Sequence, residues 1–318
     1  MHFERNVLLA MMAAAVLLPL VVADQYLLHL AIMALFYVIL ASSLNLVVGY
    51  VGEFSLGHTA FLGVGAYTAA LLSNRLSLPM WATIPLAGVT AVVFGYAIGA
   101  ITLRLQGPYF VIITLAFSEV LRIVAGNWVA FTNGPMGLAG ISQGGLGDKR
   151  GFYYVVLALA ALSLYLCYRF VYSNIGRGAV SVRENRYVAQ SIGVNPFGLA
   201  LRAFVLGAFL AGLAGGFYAH YISFVGPEVF NFAFTASMII MVLMGGKGTL
   251  IGPILGAVIV TVLEERLRQT QELRLTLFGL IVILVVLFLP RGIVSLMRPR
   301  REQRGEIGRV VPVKEGAT

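Results

Sequence analysis

The sequence predicts an all-α fold: a polytopic transmembrane helix bundle of about ten spans, with broken, Gly-rich helices and one short helix outside the membrane. Three observations carry this prediction. Of 318 residues, 59% are hydrophobic and 11% charged, and the mean hydropathy is +0.91. An ordinary soluble domain is about 45–50% apolar and about 25% charged. The apolar residues fall in long runs that separate at charges, Gly and Pro, and glycines at 49, 52, 57, 63 and 65 interrupt two of these runs. The composition excludes a disordered chain, a nucleic-acid-binding domain and a typical soluble enzyme. A span takes about 20 residues, so ten use roughly 200 and leave too little for a second soluble domain of any size.

In chain order the predicted spans are Val7–Val22, Leu27–Val48, Thr59–Ser73, Met80–Leu103, Pro108–Ala130, Phe152–Tyr172, Leu201–Phe224, Val229–Gly245, Ile251–Leu263 and Leu275–Pro290. The third and ninth are short and Gly-rich. The first is read as an uncleaved span rather than a signal peptide, although Val21-Val22-Ala23 passes as a cleavage site. Its removal would leave the remaining spans with their ends on opposite sides.

Basic residues set the orientation. With the N-terminus inside, the outer connections hold Arg75, Lys149, Arg150, Arg266, Arg268 and Arg274. The inner ones collect Arg5, Arg104, Arg169, Arg177, Arg183, Arg186, Arg202, Lys247 and the basic tail. Cytoplasmic connections accumulate Lys and Arg, so both termini are expected to be cytoplasmic. The net charge of +9 is then a mark of orientation rather than of an acidic ligand. Residues 1–297 form one transmembrane domain, and 298–318 form a flexible basic tail. Cys167 sits in an apolar run and is expected to be inert packing, and no metal-ligand spacing of Cys and His occurs.

Two loops stand out. Thr132–Gly151 is Gly-rich and falls outside. Ser173–Ala200 is the longest inner connection, with a helix expected from Ala179 to Ser191, a stop at Gly193 and a turn at Asn195-Pro196. Apolar Ala179, Val182, Ala189 and Ile192 recur near helical spacing against polar Arg177, Arg183, Glu184, Asn185 and Arg186. A short amphipathic helix outside the membrane needs a place for its apolar side: the bilayer surface, the protein itself or a partner's groove.

The segment Tyr50-Val51-Gly52-Glu53-Phe54-Ser55-Leu56-Gly57-His58 interrupts two apolar runs, as a re-entrant stretch or as a loop. Irregular backbone at membrane depth is tolerated where it lines a cavity or is buried in protein, and broken helices commonly build transporter substrate sites. A plain Gly-rich helix contact followed by a loop is the alternative. Gly52-x-x-Ser55-Leu56 is echoed by Gly246-x-x-Thr249-Leu250, a match too short to establish a repeat. Gly246-Lys247-Gly248-Thr249 fails the phosphate-loop pattern, because position 241 is Met and position 248 is Gly. Glu119 and Arg122 share one helical face inside a span. They line a substrate path or gate, or they form a structural ion pair that fixes helix register. The candidates for a substrate path are thus Asn45, Ser55, His58, Glu119 and Arg122. Asn45 also reads as interhelical glue and His58 as a hydrogen-bonded structural residue. No catalytic residue is expected, since the four His are scattered.

Several motifs together resemble LivM-type permeases of the LivH/LivM family. They are Ser43-Leu44-Asn45-Leu46-Val47-Val48-Gly49-Tyr50-Val51-Gly52, Ser55-Leu56-Gly57-His58-Thr59-Ala60-Phe61 and Gly63-Val64-Gly65-Ala66-Tyr67. Further along come Gly107-Pro108-Tyr109-Phe110, Asn133-Gly134-Pro135-x-Gly137, Arg183-Glu184-Asn185, Ala211-Gly212-Leu213-Ala214-Gly215-Gly216 and Gly245-Gly246-x-Gly248-Thr249-x-x-Gly252-Pro253. The resemblance covers about residues 40 to 290, in order. It implies a membrane subunit of an ATP-driven (ABC) importer for branched-chain or other hydrophobic amino acids, placed in a bacterial inner membrane and working by alternating access. It also implies a LivH-type permease partner, two ABC ATPase subunits that carry the ATP and Mg, and an extracytoplasmic substrate-binding protein. This chain would hold no cofactor of its own and meet lipid but no nucleic acid. Segment 176–193 resembles the family's ATPase-coupling loop, with Arg177, Arg183, Glu184, Asn185 and Gly193 as its residues. Arg186 departs from the family's usual acidic residue, which puts in doubt any salt bridge inferred there. Import of urea, amides or aromatic amino acids is the alternative within the family. An ion-coupled secondary transporter using Glu119 is the alternative outside it.

Overall fold

A computed structural model of the chain describes residues 11–19, 24–105 and 107–267, and the positions 279, 283, 287, 288 and 292–294. Apart from those positions, the predicted tenth span and the tail lie outside the described residues, as do both ends of the first span.

The described chain is helical almost throughout. Asp24 starts α1 (Gln25–Asn45) by accepting a hydrogen bond from the Tyr26 amide at 2.9 Å. The helix then widens into a π-helical turn, Leu46–Val51, that ends where Gly52 adopts φ +87°. There follow α2 (His58–Leu76), α3 (Met80–Thr102), α4 (Pro108–Asn127), the single turn α5 (Val129–Thr132) and α6 (Lys149–Val171). The remaining helices are α7 (Asn174–Glu184), α8 (Arg186–Ser191), α9 (Pro196–Ile222), α10 (Phe232–Gly245) and α11 (Ile251–Leu267).

Five of the described helical segments are long and apolar enough to cross a membrane: Gln25–Val51, Met80–Thr102, Pro108–Asn127, Lys149–Val171 and Pro196–Ile222. The count of about ten is not reached on that measure. The predicted third span is α2, longer than expected at 19 residues but carrying Ser73, Asn74 and Arg75 in its last turns. Most of it is buried by other helices rather than exposed to lipid, which is how it tolerates Thr59, Thr68 and Ser73. The predicted eighth span is α10, only 14 residues, entered through a 3-10 turn at Pro227–Phe230.

Small residues decide the packing. Helix α9 is the central column, against α2 and α3. A Cβ on Gly215 would lie 2.1 Å from the Leu62 carbonyl oxygen, and one on Gly212 would lie 2.4 Å from the Ala91 Cβ. The Ala211–Gly216 motif therefore exists to let backbones touch, the usual device where lipid offers no hydrophobic drive between helices. On α4, Phe110, Thr114, Ser118 and Ala125 face inward at near-helical spacing, leaving the other side exposed. Cys167 is buried beside the Ser42 carbonyl.

The chain's alternation puts Leu46–Gly57, 172–195 and 246–250 at one end of the bundle. At the other end, β1 (Leu138–Ala139) pairs antiparallel with β2 (Phe224–Val225). There Asn133, at φ +62°, donates to the Gly137 carbonyl at 2.9 Å, so the Asn-Gly-Pro-x-Gly motif is a tight turn over the helix ends.

Candidate functional site

The inner-loop helix expected over Ala179–Ser191 is instead two helices. Ser173 caps α7 by accepting from the Gly176 amide, and α7 stops at Glu184. Asn185 is extended, at φ −157°, and its side-chain oxygen accepts from the amides of Tyr187 and Val188, both at 3.1 Å. An Asn side chain that satisfies free amides competes with the backbone ladder, so it starts a new helix rather than continuing the old one. Gly193 ends α8 as expected. It takes φ +81°, its amide donates to the Gln190 carbonyl, and the Val194 amide reaches back to Ala189. Asn195 caps α9 through the Gly198 amide at 3.1 Å.

The α7–α8 pair is tied to the broken end of α1. Arg183 Nη1 donates to the Gly49 carbonyl oxygen at 2.7 Å, inside the π-helical turn. Its Nη2 bridges to Glu184 Oε1 at 2.7 Å. The stem of Arg183 lies over Gly52, where a Cβ would stand 2.8 Å from Arg183 Cγ. A Cβ on Gly248 would stand 2.6 Å from Arg183 Nη1. Glycine at 52 and 248 is thus the space into which Arg183 fits, and the positive φ of both positions suits glycine as well. Arg177 hydrogen-bonds Asn174 within α7.

Asn45 closes the third side. Its Oδ1 accepts from the Gly248 amide at 2.9 Å and its Nδ2 donates to the Thr249 carbonyl at 2.8 Å. Thr249 in turn accepts from the Gly252 amide at the start of α11. The π-helical turn and the 246–250 turn therefore meet: a Cβ on Gly49 would lie 2.5 Å from the Gly248 nitrogen.

A second tie was not legible in the motif pattern. Arg186 Nη1 donates to Glu53 Oε1 at 3.0 Å, with both side chains less than a quarter exposed. Burial pushes the Glu53 carboxyl above the usual carboxylate range, and the Arg186 guanidinium pulls it part of the way back. The signal for this pair is charge complementarity between two loops far apart in sequence, which spacing alone does not reveal. At the crest of the helix pair, Tyr187, Val188 and Ile192 stand exposed, Tyr187 at 79%.

Of the candidates for a substrate path, only Asn45 takes part in these contacts. Ser55 is buried, and its hydroxyl has no partner among the described residues. His58 is fully buried, with Nε2 2.8 Å from Ser43 Oγ. Glu119 and Arg122 form an ion pair on the exposed face of α4. Asn45 is engaged with the 248–249 backbone. Among the described residues, no three His, Cys, Asp or Glu side chains come together as metal ligands.

A family model described as "Branched-chain amino acid transport system / permease component" matches residues 26–287. The high-affinity branched-chain amino acid transport system permease protein LivM of Salmonella typhimurium is 33% identical, over 93% of this chain and 76% of its own length. LivM of Escherichia coli is 32% identical over the same shares. LivH of Escherichia coli is 25% identical, over 84% of this chain and 93% of its own length. No solved structure matches the chain. The match spans the broken helix, the helix pair and the Gly-rich turn that meet at the Arg183 site, and by it the chain belongs to the family of permease components of branched-chain amino acid transport systems.

Proposed function

We propose that the chain is the membrane-spanning permease subunit of an ATP-driven importer for branched-chain or other hydrophobic amino acids, with substrate passing by alternating access. It sits as a multi-pass protein in a bacterial inner membrane with both termini cytoplasmic, beside a LivH-type permease. Two ABC ATPases dock beneath and bind ATP and Mg, and an extracytoplasmic binding protein delivers substrate.

One observation carries this reading: Arg183, on a helix pair with an exposed apolar crest, holds the Gly49 carbonyl of a π-helical turn inside a span. The crest gives a partner ATPase an apolar surface to grip. A π-turn is a local irregularity common at functional sites, and here it is the end of α1 that leads into the 52–57 connection. Closure of the ATPase pair would move α7–α8, and the Arg183–Gly49 and Arg186–Glu53 ties would carry that movement into α1 and the 52–57 connection. A neutral zwitterion with an apolar side chain suits a path with few charges.

Uptake into proteoliposomes holding the chain with its permease, ATPase and binding-protein partners tests this. ATP-driven accumulation of leucine, isoleucine or valine is expected. Accumulation of urea, amides or aromatic amino acids instead would reassign the substrate. Uptake that ignores ATP and collapses with an ionophore would replace the ATPase-coupled mechanism by ion coupling.

A further inference from the structure

The face of α4 that the fold leaves uncovered carries charge at membrane depth. Glu119 lies 11 residues from the start of the helix at Pro108 and 8 from its end at Asn127, so about 16 Å and about 12 Å from the two ends. Its side chain is 50% exposed and that of Arg122 is 43% exposed. Arg122 Nε donates to both carboxylate oxygens of Glu119, at 3.0 and 2.9 Å. Charged groups at this depth are costly against lipid and normally face protein or a water-filled cavity.

The outward direction of the pair is built in. On the buried face of α4, Ser118 Oγ lies 2.9 Å from Thr59 Oγ1 of α2 and 3.3 Å from the Phe230 carbonyl oxygen. Thr59 Oγ1 lies 3.1 Å from Thr235 Oγ1 of α10. This buried hydroxyl cluster fixes the rotation of α4, because turning the helix would take Ser118 away from Thr59 and the Phe230 carbonyl and leave its hydroxyl among apolar side chains. Glu119 and Arg122 are therefore held outward while the neighbouring exposed positions on the same stripe are apolar or small: Ile112, Ala116 and Ile123.

We infer that Glu119 and Arg122 form a transit subsite for the charged ends of a zwitterionic amino acid, with the side chain of the substrate lying along Ile112, Ala116 and Ile123. This rests on the amino-acid importer reading above and deepens it. The carboxylate of the substrate displaces Glu119 from the Arg122 guanidinium, and its ammonium takes up the freed Glu119 carboxylate. One neutral double-charge pair is exchanged for another, so no net charge moves and no unpaired charge is created. A fork-shaped guanidinium suits a carboxylate in this role. A bidentate resident pair also keeps the subsite closed on itself when no substrate is present.

The assembled complex in proteoliposomes provides the test, with copurification of all subunits as the control for assembly. Glu119→Gln, Arg122→Gln and the double variant are each expected to raise the KM for leucine about tenfold or more, as loss of a charge-assisted hydrogen bond implies. The double variant is expected to be no better than either single one. A merely structural pair behaves otherwise: removing both charges restores what a single change loses. Restoration in the double variant, or wild-type uptake in all variants, would overturn the inference. A second reading uses water: Ala116→Cys in the complex should react with a water-soluble, membrane-impermeant maleimide and be protected by leucine, Cys167 being buried. An unreactive Cys at 116 would place this face against lipid or packed protein and defeat the subsite. If the wild-type complex accumulates no amino acid at all, the importer reading itself fails, an outcome distinct from the others.

Discussion

Arg183 reaches from the α7 helix to the Gly49 carbonyl oxygen at 2.7 Å, so a residue outside the membrane holds the one π-helical turn among the described spans. This bond joins parts of the chain 134 residues apart. Arg183→Ala leaves the helix pair folded, since its cap at Ser173 is untouched, but removes the tie. ATP-driven uptake is expected to fall about tenfold, the scale of one charge-assisted hydrogen bond. Arg183→Glu is expected to fall further, because it sets a carboxylate against the Gly49 carbonyl. Wild-type uptake and ATPase association in Arg183→Glu would remove coupling through this residue.

Gly193 marks the second test. Its φ of +81° is closed to proline, and its amide donates to Gln190. Gly193→Pro is expected to unravel the last turn of α8 and weaken ATPase association, read by copurification. Gly193→Ala, strained but still a donor, is expected to lose less.

Asn45 predicts a loss of stability rather than of specificity. Its amide satisfies both the Gly248 N–H and the Thr249 carbonyl. Asn45→Leu leaves two half-buried backbone groups without their side-chain partner and is expected to cost about 1–2 kcal/mol, seen as a lower Tm in detergent. Asn45→Asp keeps the acceptor for Gly248 and loses the donor to Thr249, so a smaller drop is expected. A Tm unchanged by Asn45→Leu would show that the 246–249 turn stands without it.

Glu53 predicts a dependence on pH. Its carboxyl is raised by burial, with the fold favouring the protonated acid over the ionised one. The ionised group therefore lowers stability at neutral pH, and that deficit disappears as pH falls through the raised value. The Tm of the wild type is expected to rise, relative to Glu53→Gln, on going from neutral to mildly acidic pH. Protonation also weakens the tie to Arg186, so coupled uptake falls over the same range. Parallel pH profiles of Tm in wild type and Glu53→Gln would contradict this.

The positions of Gly52 and Gly248 were legible in the sequence as glycines in motifs, and Gly193 as a helix stop. Their reason was not. Gly193 stops α8 by local conformation, which chain chemistry dictates. Gly52 and Gly248 are glycines because Arg183 lies where their side chains would be, a fact of two distant segments meeting. The same division holds for helix α7–α8. Its amphipathic spacing was plain, but the break at Asn185 depended on whether a side chain would cap a helix or ride on one.

By itself, the sequence determined the membrane character, the helical class, the run of apolar segments and the family. These follow from composition, periodicity and local motifs, which act through neighbours along the chain. Only the tertiary structure decided that Asn45 and Arg183 grip backbone, that Arg186 finds Glu53, that His58 is sealed inside and that Glu119 and Arg122 face outward. Each of those outcomes depends on which helix lies against which. In a chain this apolar, nearly every helix surface could be buried, so hydrophobic pattern does not choose among packings. Small residues and a few polar partners do, and their effect appears only when distant segments are brought together.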